Sequence, residues 1–150
     1  MISPRFIFVS ALLLSAVACG GGDSSSTPGS TLGPSSNNTL TTQLTVVDVA
    51  LGTGAVANSG TRITVSYSGF LYDSNGFENK GRQFDSSSAF TFTLGAGQVI
   101  KGWDQGVIGM RVGGLRRLII PPSLGYGNQA VGTIPANSTL VFDVRLISVG

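Results

Sequence analysis

Short runs in which apolar and polar residues alternate recur along residues 43–150, and this period of two restricts the fold more than any other feature of the chain. Successive side chains of a β-strand point to opposite faces of a sheet, so such runs predict strands with one buried face. Alternating runs lie at residues 44–49, 63–67, 90–94 and 140–146, and a further β-rich run at 115–120 ends at two prolines. We therefore expect a sheet of five or six strands.

One segment has a different period. Ile100, Trp103, Val107 and Met110 are spaced like residues on one face of an α-helix of about three turns, although glycines at 102, 106 and 109 weaken such a helix. A single sheet needs a second layer to bury its apolar face, and a helix can supply it. The sequence therefore predicts an α+β fold in which a twisted antiparallel sheet wraps around one short α-helix.

The composition excludes several kinds of site. The chain has 150 residues, with no His and one Cys. This rules out Ser-His and Cys-His nucleophilic arrangements, His-ligated zinc and a disulfide within the chain. The formal net charge of +2 is too small for a surface that tracks phosphates, so nucleic acid is not an expected partner. The length fits one folded domain, and we expect it to need no cofactor or metal.

Residues 1–18 have the pattern of a signal peptide, because a short segment with Arg5 precedes an apolar stretch too short for a membrane-spanning helix. The stretch ends in Ser-Ala-Val-Ala-Cys-Gly at residues 15–20, which resembles the lipobox of bacterial lipoproteins with Cys19 as the acylated residue. The alternative is an ordinary cleavage site after Ala18, which would leave Cys19 as a free thiol. Both interpretations predict export.

Residues 19–41 contain Cys19 and a stretch rich in Gly, Ser, Thr and Pro that has too few apolar residues to fold. We interpret this stretch as a flexible tether for a domain at residues 42–150. The domain is then expected at the periplasmic face of a bacterial membrane and held only by its lipid anchor. Gly20, rather than Asp, follows Cys19 and favours the outer membrane. Because no helical dimerisation segment precedes residue 43, we expect a monomer.

Two patterns that could carry chemistry do not hold. Residues 97–102 begin like a phosphate-binding loop, but Trp103 occupies the position of the required Lys. Asp85 and Asp104 could form a general acid and base pair only if the fold brought them together. Each of these residues is more often found in a cap or a turn.

Six short motifs follow one another in the folded part of the chain. They are VSYSG at 65–69, FDSS at 84–87, QVIKGW at 98–103, GYG at 125–127, IP at 134–135 and TLVFDV at 139–144. In this order they resemble the FKBP-type peptidyl-prolyl cis-trans isomerases, over residues 43–150. The resemblance implies a sheet curled around a short helix, with a shallow apolar pocket between them and Trp103 at its floor.

The resemblance also implies the residues of the site. The implied catalytic residues are Tyr67, Asp85, Ile100, Trp103, Tyr126 and Phe142, and the implied substrate-binding residues are Phe84, Phe90, Val99 and Ile134. In the family, the backbone N–H at the Ile100 position and the hydroxyl at the Tyr126 position donate hydrogen bonds to ligand carbonyls. Proline-containing polypeptides are then the expected substrates, and macrolides such as rapamycin are expected inhibitors.

The chain departs from the family pattern in three places. Residues 70–83 are longer than the family's usual short hairpin, and we predict an exposed loop there. The stretch after Ser88 lacks the Arg that pairs with the Asp in the family, which leaves the role of Asp85 open. Thr133 stands where an apolar residue is common, and we expect it to affect substrate preference more than catalysis.

The function implied by the resemblance is rotation about X-Pro bonds during the folding of exported proteins, where this rotation can be rate-limiting. Two other functions stay open at the level of the sequence. One is a non-catalytic module that holds a proline-containing segment or a partner at the membrane surface. The other is a structural surface lipoprotein without a ligand.

Overall fold

The computed structural model describes residues 42–150. The predicted signal peptide, Cys19 and the tether lie outside the described residues. Within residues 42–150 the chain forms five strands and one α-helix. The elements are β1 (Thr45–Ala50), β2 (Arg62–Tyr72), β3 (Lys80–Thr93), α1 (Lys101–Gly106), β4 (Leu115–Ile120) and β5 (Leu140–Val149), with 3₁₀ turns at Phe77–Asn79 and Pro122–Leu124.

The five strands form one antiparallel sheet in the order β1-β4-β5-β2-β3. The α+β prediction is confirmed, with five strands rather than six. The pairing of β2 with β3 shifts register three times, between Val65 and Tyr67 and on both sides of Phe70. Such irregularities bend a strand and increase its twist, which lets the sheet curl around the helix.

The alternation predicts the buried face correctly in the central strands. In β2 the buried residues are Ile63, Val65, Tyr67 and Gly69, and in β5 they include Leu140, Phe142, Val144 and Leu146. The edge strand β1 differs, because Val46, Val47 and Val49 are all more than 40% exposed. The prediction of a half-buried strand is wrong there. A six-residue helix that packs on β4 is too short to cover the edge of the sheet as well.

The prediction of a three-turn helix is also wrong in length. Helix α1 has six residues, Val107 is its C-cap, and Gly109 adopts a φ of 82° just beyond it. A left-handed glycine ends helices readily, so Met110 lies outside the helix. All four residues of the predicted stripe are nevertheless buried. Their spacing therefore predicts the buried face correctly but overestimates the length of the helix.

The glycines that weaken α1 are needed for its packing. A Cβ atom at Gly102 would lie 2.5 Å from the side chain of Ile120, and one at Gly106 would lie 2.6 Å from that of Leu118. Both partners are buried residues of β4. Any larger residue would push the helix away from the sheet. The low helix propensity of glycine is therefore accepted at these two positions because it allows α1 to pack closely on β4.

Side chains hold both ends of α1, since so short a helix is not stable by itself. The Asp104 carboxylate accepts hydrogen bonds from the N–H groups of Gly95 and Gly97, at 2.8 and 3.0 Å. At the other end, Arg116 donates to the carbonyls of Gly106 and Ile108. Asp104 thus fastens the preceding turn, as the sequence indicates, and no acid–base pair with Asp85 is formed.

Segment 70–83 is only partly the exposed loop that we predicted. Strand β2 continues to Tyr72 and β3 begins at Lys80, so only residues 73–79 connect them. The tip is exposed, with Phe77 at 86%. The expectation of a long loop is wrong for both ends because β2 and β3 keep pairing as far as Tyr72 and Lys80.

Replacing Asp104 with Ala should lower the free energy of unfolding by about 1–3 kcal/mol, because two backbone N–H groups lose a charged acceptor. Urea denaturation measures this change. Gln105→Ala, an exposed position on the same helix, is the matched control and should have little effect. Equal unfolding midpoints for the two variants would contradict the role assigned to Asp104.

Candidate active site

The side chain of Trp103 lies at the centre of an aromatic cluster between α1 and the sheet. It is completely buried, and three rings meet it edge-on. The centroid distances are 5.0 Å to Tyr67, 5.3 Å to Phe142 and 6.2 Å to Phe90. Edge-to-face contacts of this kind fix the orientation of each ring. The structure therefore places Trp103 in contact with three of the residues that the sequence analysis assigns to the pocket.

A second part of the cluster depends on a glycine in β2. The rings of Phe84 and Phe142 meet edge-on at 5.5 Å. A Cβ atom at Gly69 would lie 2.7 Å from the Phe142 ring and 2.8 Å from the Phe84 ring. Only a residue without a side chain leaves room for both rings. Gly69 is thus a site determinant that the sequence analysis includes in a motif without giving it a role.

Phe90 joins the cluster from β3. Its ring stacks on that of Phe92 at 5.5 Å and meets Tyr67 edge-on at 6.0 Å. Phe92 is buried and also touches Trp103. Phe90 is only partly buried, so it extends the cluster toward solvent while Phe92 packs in the core.

Asp85 has a partner that the sequence analysis did not find. The Tyr67 hydroxyl donates a hydrogen bond of 2.6 Å to Asp85 Oδ2, and the Ser86 N–H donates one of 2.8 Å to Oδ1. Gly69 pairs with Asp85 in the β2–β3 ladder, which brings the carboxylate beside Tyr67. Tyr67 and the Ser86 N–H therefore orient Asp85 in a chain that lacks the Arg of the family pattern. Only the strand register reveals this pair.

Tyr126 follows the 3₁₀ turn at Pro122–Leu124 and is partly buried against the same apolar cluster. Burial, together with the negative charge of Asp85, raises the pKa of Tyr126 to about 12. The hydroxyl consequently keeps its proton at every physiological pH. A protonated hydroxyl is a hydrogen-bond donor, and the Tyr126 side chain packs against the same cluster as the aromatic rings.

Val99 and Ile100 end the turn that leads into α1, and both side chains are buried. The Ile100 carbonyl accepts hydrogen bonds from the N–H groups of Trp103 and Asp104. Within residues 42–150, no backbone group accepts a hydrogen bond from the Ile100 N–H. Donors at the start of a helix lack partners inside the helix, and such a donor can bind a ligand carbonyl.

Ile134 approaches the cluster from the segment between Tyr126 and β5. It is 5% exposed and belongs to the same buried cluster as Trp103 and Phe142. The structure thus brings the ten predicted site residues to one region between α1, the curled sheet and the segment at 126–134.

The chemistry that this region offers is binding rather than bond making. In the part of the chain that the structure describes, no group of three or more His, Cys, Asp or Glu residues could hold a metal ion. Asp85 and Asp104 serve different hydrogen bonds. What the region presents is an aromatic surface bordered by two hydrogen-bond donors, the Ile100 N–H and the Tyr126 hydroxyl.

Comparison with known proteins gives a consistent result. A "FK506-binding protein 4" of Chaetomium thermophilum is 48% identical over 109 residues, which cover 71% of this chain and 21% of that protein. A "FK506-binding protein 2" of Dictyostelium discoideum is 52% identical over 92 residues, or 61% of this chain and 67% of that protein. The chain thus spans about a fifth of the first relative and two thirds of the second.

Solved structures agree with the sequence relatives. The crystal structure of AtFKBP13 matches with a TM-score of 0.62 and 39% identity, over 71% of this chain and 93% of that one. FkpA from Escherichia coli matches with a TM-score of 0.61 and 38% identity, over 71% and 47%. The sequence profile described as FKBP-type peptidyl-prolyl cis-trans isomerase matches residues 54–147. The chain belongs to the FKBP-type peptidyl-prolyl cis-trans isomerase family.

Proposed function

We propose that residues 42–150 catalyse cis–trans isomerisation of the peptide bond that precedes proline in polypeptide substrates. The observation that carries this proposal is the wholly buried Trp103 with three rings set edge-on around it, next to the Tyr126 hydroxyl and the Ile100 N–H. Family membership and the printed names of the relatives support it. Their names also support binding of macrolides of the FK506 type, which would compete with substrate.

Rotation about a peptide bond faces a barrier of about 18–20 kcal/mol because the amide loses its conjugation in the twisted state. The planar amide is the more charge-separated form. Transfer from water into an apolar cleft therefore weakens its resonance, whereas the twisted state loses less. An aromatic pocket can lower the barrier in this way without an acid, a base or a nucleophile.

The residues divide this work between them. The apolar surface above Trp103 receives the prolyl ring and excludes water, with Phe142, Phe84, Phe90, Val99 and Ile134 around it. The Ile100 N–H and the Tyr126 hydroxyl hold substrate carbonyls and so orient the bond that rotates. Asp85 is a positioning residue, because its hydrogen bond holds Tyr67 edge-on against Trp103.

The polar contacts should contribute modestly if desolvation dominates. Tyr126→Phe and Asp85→Asn should each raise the activation barrier by about 1–2 kcal/mol, which is roughly 5- to 30-fold in kcat/KM. A protease-coupled assay with a proline peptide measures the rates. Tyr72→Phe, a partly buried tyrosine at the end of β2, is the matched control and should retain full activity.

The same assay can overturn this mechanism. Suppose Asp85→Asn loses activity by about a hundredfold or more, corresponding to nearly 3 kcal/mol, while its unfolding midpoint is unchanged. The carboxylate would then engage the substrate directly, and desolvation would not be the main cause of catalysis.

The raised pKa of Tyr126 predicts how activity depends on pH. A hydroxyl with a pKa of about 12 stays protonated and keeps donating until the pH is far above neutral. Activity should therefore be constant from about pH 7 to about pH 9.5. A tyrosine with the ordinary pKa of about 10 would instead begin to lose its proton toward the upper end of this range. A loss of kcat/KM with a midpoint near 10 in the wild type, absent in Tyr126→Phe, would contradict the assignment.

We also propose that the chain is exported and anchored by a lipid on Cys19 at the periplasmic face of the outer membrane, where it acts as a monomer on exported proteins. The support is the apolar stretch before residue 19, the lipobox-like residues 15–20 and the low-complexity stretch that follows. Among residues 42–150, no helix is long and apolar enough to cross a membrane.

Cys19→Ser should abolish labelling with radioactive palmitate and leave an unprocessed precursor in a bacterial host. Wild-type chain expressed in parallel is the control and should be labelled and cleaved. Normal cleavage after Ala18 in the variant would favour the ordinary signal-peptidase site over the lipoprotein site.

A further inference from the structure

The connection between β2 and β3 is fastened to the outer face of the sheet by four charged side chains. Glu78 and Lys80 belong to the connection and the start of β3, while Arg117 and Asp143 belong to β4 and β5. Lys80 pairs with Glu78 and Asp143, and Arg117 pairs with the same two carboxylates at 2.8 and 2.7 Å. Asp143 lies between the buried residues Phe142 and Val144, so this cluster is on the face away from Trp103.

The opposite charges in this cluster favour the ionised form of each group. Burial alone would raise the pKa of Asp143, but hydrogen bonds from Arg117 and Lys80 outweigh it and hold the pKa below its ordinary value. All four groups are therefore charged near neutral pH. The first residues of β3 are held in place although the tip of the connection is exposed.

Arg82 follows this anchored start of β3 and reaches a different part of the molecule. Its Nη2 donates a hydrogen bond of 2.6 Å to the carbonyl oxygen of Thr133, which is 51 positions away in the chain. Thr133 and Gly132 form a tight turn, in which Val131 and Ile134 exchange backbone hydrogen bonds of 3.0 and 2.9 Å. Gly132 supports the turn with a φ of 55°.

This turn carries one wall of the pocket. The carbonyl that Arg82 binds belongs to the peptide unit joining Thr133 to Ile134, and the Ile134 side chain is buried in the aromatic cluster. Among the hydrogen bonds of residues 42–150, the one from Arg82 is the only one that joins residues 128–136 to a strand. The position of Ile134 therefore depends on its packing in the cluster and on one long-range hydrogen bond to the backbone of the turn.

We propose that Arg82 is a specificity-determining positioning residue, which holds the turn at 131–134 against the sheet and so limits the size of the residue accepted before proline. This rests on the proposed isomerase function. The ion pairs of Lys80 hold the first residues of β3 in place, and the Arg82 guanidinium binds the turn from there. If this hydrogen bond is lost, the Ile134 side chain can move away from the pocket. The side chain of Thr133 is not required, because the contact uses its backbone carbonyl.

The test compares full-length wild type, Arg82→Gln and Arg82→Lys in detergent, with Gly-Pro, Ala-Pro, Leu-Pro and Phe-Pro peptides. Arg82→Gln should raise the kcat/KM for Leu-Pro relative to that for Gly-Pro by about three- to tenfold, the scale of one hydrogen bond. Arg82→Lys keeps a charged donor and should restore most of the wild-type ratio. Arg62→Gln removes the same charge from an exposed position at the far end of β2 and should leave the ratio unchanged.

A second measurement does not depend on activity. Exchange of the Ile134 amide hydrogen, followed by NMR without substrate, should be faster in Arg82→Gln than in wild type or Arg62→Gln. If wild type isomerises none of the peptides, the proposed function fails, and the exchange rate alone decides the positioning role. Equal loss of kcat/KM on all four peptides in Arg82→Gln, or an unchanged Ile134 exchange rate, would overturn the inference.

Discussion

The edge-on packing of Trp103 between the helix and the curled sheet is the interaction on which the other features depend. It requires α1 to approach β4 closely, which Gly102 and Gly106 permit by lacking side chains. It also requires rings from β2 and β5 to stand upright beside the indole, which the edge-to-face contacts with Tyr67 and Phe142 maintain. Helix, sheet and pocket are therefore one packing arrangement, and a change in any of them alters the others.

The polar groups near this cluster act mainly by orientation. A chain without His cannot use imidazole as a base, and its two candidate carboxylates each accept hydrogen bonds from other groups of the protein. Asp104 accepts hydrogen bonds from the turn before α1, whereas Asp85 accepts a hydrogen bond from the Tyr67 hydroxyl. Tyr126 keeps its proton because it is buried near a negative charge. Such a site suits a reaction in which a bond rotates and no proton is transferred.

Local patterns in the sequence predict those parts of the fold that depend on burial. The alternation in β2 and β5 and the spacing of Trp103 and Val107 both reflect side chains that face the core. The patterns fail where the backbone conformation of a glycine or the extent of a neighbouring element decides. The length of α1 depends on Gly109, and the exposure of β1 depends on how little of the sheet so short a helix covers.

The candidate site shows the same division. The aromatic residues could be assigned from the resemblance because their motifs are continuous in the chain. The partner of Asp85 could not, since it depends on the pairing of β2 with β3. The hydrogen bond from Arg82 to the Thr133 carbonyl joins residues 51 positions apart, and no local pattern in the sequence predicts it.

The central claim is that the prolyl ring binds above Trp103, and the fluorescence of this residue tests it most directly. Trp103 is the only tryptophan of the chain, so its emission reports on the pocket without interference. Titration with an X-Pro peptide should change the emission saturably, with a midpoint that matches the KM of the same peptide. Unchanged emission at concentrations that saturate the isomerase activity would contradict the account.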